Sequence, residues 1–204
     1  QYVQQGRYDA NIYTEVLPEP RNRVSVNIDV DEGNVASIKH FNIVGNDVFE
    51  EDELLDNFAL KTTNLLSFFR NDDKYAREKL SGDLETLTSY YMDRGYLQFT
   101  IDSTQVSVSP AKDEVYITAN VTEGNKFTVG SVGLSGDLVL PEQDLMRFVF
   151  VGQGQTFSQQ LVTSSEEYIT RRLGNEGYNF AKVTGIPEVN EGEDTVDLKF
   201  FVDP

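Results

Sequence analysis

Few side chains in this 204-residue sequence are able to carry chemistry. Cysteine is absent, which removes thiolate nucleophiles, disulfides and zinc–thiolate sites together. His40 is the single histidine, so a Ser-His-Asp triad or a multi-histidine metal centre would rest on that residue alone. A surface or half-buried place in a strand suits it better. Glu50-Glu51-Asp52-Glu53 could face a hard cation, but it lacks the oxygen spacing of a calcium loop. It precedes Leu54, Leu55 and Phe58 and reads as the acidic first turn of a helix. Asp29-Val30-Asp31-Glu32-Gly33 is out of register for the same loop and should end a strand in a linker turn. The neighbours Asp72-Asp73 could share acid–base work only if burial raised one pKa, and a solvated helix cap is the simpler role. Gly152-Gln153-Gly154 lacks the third Gly and the Lys-Ser/Thr of a phosphate loop, leaving a loop before a helix cap at Ser158. The tyrosines of Tyr90-Tyr91 and Gly95-Tyr96 are assigned to packing at a helix end. Asn120-Val121-Thr122 matches a glycosylation acceptor but falls inside a predicted strand. No catalytic residue, metal or cofactor is expected, and the chain is not expected to be an enzyme.

Bulk properties point the same way. Seventeen Lys and Arg against 34 Asp and Glu give a formal charge of −17, a field that repels phosphate backbones and disfavours nucleic acid as a partner. A 39% hydrophobic and 25% charged composition suits a folded globular chain. No apolar run approaches the roughly 18 residues of a membrane helix, and the richest stretch, Leu145 to Val151, is broken by Arg147. The sequence starts at Gln1 without a basic and apolar leader, as expected of a mature protein or an excised piece. A soluble, acidic interaction module is the expectation.

The elements that would position such a surface repeat along the chain. Asp31-Glu32-Gly33-Asn34 returns as Thr122-Glu123-Gly124-Asn125, and Gly45 returns as Gly136; each pair of glycines is 91 residues apart. A Gly-Tyr pair recurs at Gly95-Tyr96 and Gly177-Tyr178, with a looser version at Gly6-Arg7-Tyr8. In the first full unit the pattern predicts a strand at Ser37–Val44, a helix start at Glu50–Glu53, and a second helix capped by Asp72 or Asp73 after the Phe68-Phe69 loop. That helix carries the stripe Tyr75, Leu80, Leu84, Leu87, Tyr91 and stops at Gly95. Strands at Leu97–Val108 and Val115–Val121 follow, joined by Pro110-Ala111-Lys112-Asp113, with Val115, Ile117, Ala119 and Val121 on one face. In the second unit the order recurs: strand Val129–Leu134, a helix with Pro141 at its first position, and a helix capped by Ser158 with the stripe Leu161, Tyr168, Ile169, Leu173. Gly177 ends that helix, and strands Phe180–Ile186 and Thr195–Val202 close the unit. The expected class is α+β: tandem β-α-α-β-β units, each a three-stranded sheet with two helices on one face. The domain reading is 1–32, the truncated end of a preceding unit with a helix end and a hairpin (Asn11–Leu17, Val24–Val30), then 35–123 and 124–204 as complete units.

Gly82-Asp83-Leu84-Glu85-Thr86-Leu87 through Asp93-Arg94-Gly95-Tyr96, followed by Ile101-Asp102-Ser103-Thr104-Gln105-Val106-Ser107, resembles the third POTRA domain of the BamA family of outer-membrane β-barrel assembly factors. Pro20-Arg21-Asn22-Arg23-Val24 resembles the end of the second domain, and 124–204 resembles the fourth. The resemblance implies a periplasmic scaffold in a Gram-negative bacterium, the arm of a protein held in the membrane by a C-terminal barrel outside this sequence. It implies other assembly-machine subunits and unfolded outer-membrane protein clients as partners. It also implies that a BamB-like lipoprotein docks on the strand at 101–108, with contacts falling on Asp102, Val106 and Val108. A valine at 108 in place of an expected leucine makes a shallower anchor.

The same strand stands out physically. A three-stranded sheet has two edges, and an edge offers main-chain donors and acceptors to an added strand. Asp102-Ser103-Thr104-Gln105-Val106-Ser107-Val108-Ser109 has no Lys and no Pro, so the usual blunting devices are missing, and Thr104 joins the candidate contact positions. Two other assignments stay open here: the POTRA region of a TamA-like translocation factor or two-partner secretion transporter, and an acidic ion-binding module. The short connections at Gly33-Asn34 and Gly124-Asn125 are the expected hinges of a bent, fairly stiff arm.

Overall fold

A computed structural model of the chain describes residues 1–62, 74–190 and 192–204. The Phe68-Phe69 loop and the Asp72 or Asp73 cap lie outside the described residues. The contacts divide the chain into two compact units, Gln1–Leu87 with Ile101–Val121, and Thr88–Thr100 with Thr122–Pro204.

In the first unit the strands β1 (Asn11–Glu19) and β2 (Arg23–Asp31) form an antiparallel hairpin. Its turn places Arg21 and Asn22 at positive φ. Nearly every residue of the pair is exposed, on both faces. The helix end expected before it is only a 3₁₀ turn, Val3–Gln5, closed by Gly6 at φ 77°. The main sheet has the order β3-β5-β4, with β3 at Ser37–Val44, β4 at Thr100–Val108 and β5 at Glu114–Thr122. β3 and β5 run parallel, so a crossover must join them, and it contains the helices α1 (Glu51–Leu55) and α2 (Arg77–Met92). Val115, Ile117, Ala119 and Val121 of β5 are buried, giving the alternation of a strand with one face on a core. Leu54 of α1 and Leu80 and Leu87 of α2 are buried as well. β4 begins at Thr100, three residues later than the pattern predicts. Gly95 sits at φ 99°, and the Tyr96 and Phe99 amides turn back to the Tyr91 and Tyr96 carbonyls, so the segment between them is a turn.

The second unit repeats the plan with strand order β6-β8-β7: β6 is Thr128–Gly136, β7 Lys182–Asn190 and β8 Thr195–Asp203. Its helices are α3 (Glu142–Met146) and α4 (Gln159–Asn175). Even the irregularity recurs: β3 slips register between Ile38 and His40, β6 between Val129 and Val132. Pro141 is the N-cap of α3, one position before the first turn where the sequence pattern put it. Ser158 caps α4, its hydroxyl accepting the Leu161 amide at 3.3 Å. The buried stripe of α4 is Val162, Ser165, Ile169 and Leu173, which keeps helical spacing toward the sheet. Leu161 and Tyr168 fall on the exposed side of that stripe, and Tyr168 packs edge-on against Phe150 with ring centres 5.2 Å apart. β7 starts two residues later than expected, and Phe180 is 97% exposed.

Candidate partner-binding edge

Among the described residues β4 lies at the edge of its sheet, with β5 on one side only. The hairpin that joins them sets which way each main-chain group points. The Ser109 amide donates to the Glu114 carbonyl at 2.9 Å, and Asn120 donates to Ser103 Oγ at 2.9 Å, fixing the register. In an antiparallel pair the main-chain groups of alternate residues face the partner. Residues 103, 105, 107 and 109 therefore turn their N–H and C=O toward β5, and 102, 104, 106 and 108 turn theirs away from it. The side chains of that second set stand on the same face as Val115, Ile117, Ala119 and Val121, the helix side of the sheet. Asp102, Thr104, Val106 and Val108, the four positions singled out from the sequence, thus share both a face and an outward main-chain orientation. Asp102 and Thr104 are exposed, Val106 is 38% exposed, and Val108 is half-buried.

Between α2 and this edge runs a groove of about 470 Å³, walled by Tyr75, Leu80 and Leu84 on the helical side and by Thr104, Val106 and Val108 on the strand side. Tyr8 and Val3 from the opening segment line one end. The rings of Tyr8 and Tyr75 lie tilted against each other with centres 6.3 Å apart. Burial, then the neighbouring Tyr75, pushes the Tyr8 phenol up to about 12, and burial raises that of Tyr75 as well. Both rings are therefore neutral hydroxyls under ordinary conditions. The site is a groove of mixed polarity, with Gln4, Arg77 and Ser81 lining it beside the apolar side chains, next to a line of peptide groups, which suits an extended chain.

Sequence reasoning missed the helical wall of the groove and the carboxylate that positions it. Asp83 is 2% exposed and accepts the amides of Ala59 at 2.6 Å and Leu60 at 2.9 Å, tying α2 to the segment after α1. The available signal was an acid between Leu80 and Leu84, where an apolar stripe excludes solvated charge. The tyrosines at the end of α2 pack as expected: Tyr91 is fully buried, stacked on Phe99 at 4.1 Å, and donates to Glu123 at 2.7 Å. Burial first, and the Glu123 carboxylate second, drive its phenol pKa up.

The other sequence candidates lie elsewhere. His40 is exposed, its ring 5.9 Å from Tyr116. Glu51 of the acidic run accepts the Ile43 amide at 2.9 Å, a structural tie between α1 and β3. Among the described residues no group of three or more His, Asp or Glu is placed to hold a metal; Asp72-Asp73 lies outside them. Gly33 has φ 61°; its amide donates to Asp31 Oδ1 at 3.1 Å, and its carbonyl accepts Arg7 at 2.8 Å. The Asn34 amide donates to Asp9 at 3.2 Å. Gly124, at φ 71°, packs closely on Gln98, and Asn125 donates to Asp194 at 2.9 Å.

Known proteins share this fold. The family model for POTRA, described as surface antigen variable number repeat, matches residues 36–124 and 127–204. The outer membrane protein assembly factor BamA of Neisseria meningitidis serogroup B is 27% identical over 205 residues, covering 100% of this chain and 26% of that protein. Its counterpart in Buchnera aphidicola is 25% identical, covering 99% and 33%. The chain thus spans about a quarter to a third of the length of these relatives. The crystal structure of Haemophilus influenzae BamA POTRA3-5 matches the fold with a TM-score of 0.72 at 22% identity, covering 83% of this chain and 66% of that one. BamA from Haemophilus ducreyi lacking POTRA domains 1-3 matches with a TM-score of 0.58 at 23% identity, covering 82% and 29%. Two successive β-α-α-β-β units, repeated down to the irregularity in their first strands and matched by the family model over both, establish that this chain belongs to the POTRA family.

Proposed function

We propose that the chain is part of the periplasmic arm of an outer-membrane β-barrel assembly factor, a scaffold that holds partner proteins by strand addition. In this reading 1–32 is the closing hairpin of a preceding POTRA domain, and 35–123 and 124–204 correspond to the third and fourth. The occupant of the β4 edge is a segment of a BamB-like lipoprotein, other assembly-machine subunits engage the arm, and unfolded barrel clients use sheet edges in the same way. Gly33-Asn34 and Gly124-Asn125 serve as the joints.

One observation carries the reading: at the β4 edge the outward peptide groups of 104, 106 and 108 run alongside a groove whose walls include Leu80, Leu84 and Val106. Main-chain pairing supplies affinity with little sequence discrimination, and the Leu80, Leu84 and Val106 walls supply modest selection for alternate apolar side chains. Such low discrimination is what a machine with many clients requires. A photocrosslinking side chain placed at Thr104 should join the lipoprotein in cells, whereas one at Tyr116, on the far face of the sheet, should not. Equal crosslinking from the two positions would reject the edge as the docking place.

A further inference from the structure

The two sheets differ at their matching edges. Gly45 lies against the carbonyl of Val121, and Gly136 lies in the same way against that of Val202, so β5 and β8 align with Val121 on Val202. The registers then place Asp102, Thr104, Val106 and Val108 of β4 on Val183, Gly185, Pro187 and Val189 of β7. The helices align through their ends: the Tyr96 amide returns to the Tyr91 carbonyl and the Tyr178 amide to that of Leu173, each at 3.1 Å. Leu84 therefore matches Glu166, and Leu80 matches Val162.

We propose that the β7 edge of the second unit is closed to strand addition by Glu166 and Pro187, so that added strands are directed to β4. The Gly185 amide does not face β8; it donates to Glu166 Oε1 at 2.5 Å. Every second residue shares that outward direction, so the main-chain groups of 183, 185, 187 and 189 all point away from β8. Of the four positions an incoming strand would pair with, 187 has no donor, because proline has no N–H, and the amide of 185 is held by a carboxylate. The groove is shut as well. A Cβ at Gly185 would fall 2.5 Å from Val162 Cγ1, so the glycine lets α4 pack down on β7. In the first unit Thr104 carries a side chain at this position, and Leu84 rather than a carboxylate faces the strand across an open groove. An incoming backbone carbonyl at β7 would also meet the Glu166 charge. Three sequence differences, Leu84 to Glu166, Thr104 to Gly185 and Val106 to Pro187, thus convert an acceptor edge into a guarded one. Strand blunting by proline and by an inward charge is a general protection against unwanted pairing.

This inference shares the strand-addition reading of β4 but is tested separately from it. The probe is an end-blocked synthetic peptide alternating Val and Thr between serine ends, titrated into the whole chain while backbone amide signals are followed. In the unmodified chain, signals of β4 should move and those of β7 should not. In the double variant Glu166→Leu, Pro187→Val, the β7 signals should move as well. Movement of β7 in the unmodified chain, or its persistence unmoved in the double variant while β4 responds, would overturn the proposal. If β4 itself fails to respond, the function proposed above falls, and hydrogen exchange then decides on the guard. Glu166→Leu alone should speed exchange of the Gly185 amide by about tenfold or more through loss of its acceptor; unchanged exchange would remove Glu166 from the role.

Discussion

Replacing Val106 with proline separates the sheet's internal bonding from its outward bonding. The Val106 amide points away from β5, so the substitution deletes no β4–β5 ladder bond. Its side chain is 38% exposed, so the burial lost is a fraction of the roughly 1.5–3 kcal/mol of a fully buried valine. Proline's restriction of the unfolded chain offsets about 0.4–1 kcal/mol of that. The net change should stay within about 1 kcal/mol, and the second unit already carries Pro187 at the matching place. Gln105→Pro is the contrast. Its amide faces β5, so the change breaks a ladder bond, leaves a carbonyl without a donor and costs about 2–4 kcal/mol. An added strand experiences the reverse order: Val106→Pro removes one main-chain bond and puts a ring in the seam, worth about 1.5–3 kcal/mol or a 10–100-fold weaker Kd. Urea unfolding followed by circular dichroism measures stability, and calorimetric titration with the BamB-like lipoprotein measures binding. Unchanged affinity for Val106→Pro would refute the reasoning, as would destabilisation equal to that of Gln105→Pro.

Three other outcomes are expected. Asp83→Ala should cost about 2–4 kcal/mol in urea unfolding, because the Ala59 and Leu60 amides lose their buried acceptor, and Asp83→Asn should cost less. Tyr8, Tyr75 and Tyr91 are held neutral by burial, with phenols raised from 10.0 and that of Tyr8 to about 12. A raised folded-state value means their contribution to stability is complete below pH 10 and is lost as pH rises beyond it, for Tyr8 through about 12. The tyrosinate absorbance should then show a late wave coincident with loss of the circular dichroism signal, whereas a single wave near pH 10 in a still-folded chain would contradict the burial. Backbone relaxation should show larger amplitudes at Gly33-Asn34 and Gly124-Asn125 than in the flanking strands; uniform rigidity would remove them as joints.

The repeat and its element order were legible because they rest on short-range signals: Gly pairs at a fixed spacing, a serine cap at 158, and strict alternation in Val115 to Val121. Element starts were less so. The turn from Gly95 to Phe99 is stabilised by contacts to Tyr91 that no local pattern reports, so β4 begins three residues after the apolar pattern does. The stripe of α4 was misplaced because Leu161 and Tyr168 are apolar yet exposed, while the buried Ser165 is polar; its hydroxyl donates to the Leu161 carbonyl and accepts the Phe150 amide. At the candidate site the strand was visible in sequence through the absence of Lys and Pro. Its groove was not, because Leu80 and Leu84 come to lie beside Val106 only through the packing of α2. The β7 edge is opaque to the sequence for the same reason, since Glu166 and Gly185 meet only across a helix–strand contact.

Hydrogen exchange at single-amide resolution on β4, with and without the lipoprotein, addresses the central claim most directly. In the unbound chain the amides of 103, 105 and 107 should be slow and those of 104, 106 and 108 fast, as the alternation of an edge strand demands. Binding should slow the amides of Thr104, Val106 and Val108 together. Protection that appears elsewhere while those three remain fast would show that partners are not held by strand addition at this edge.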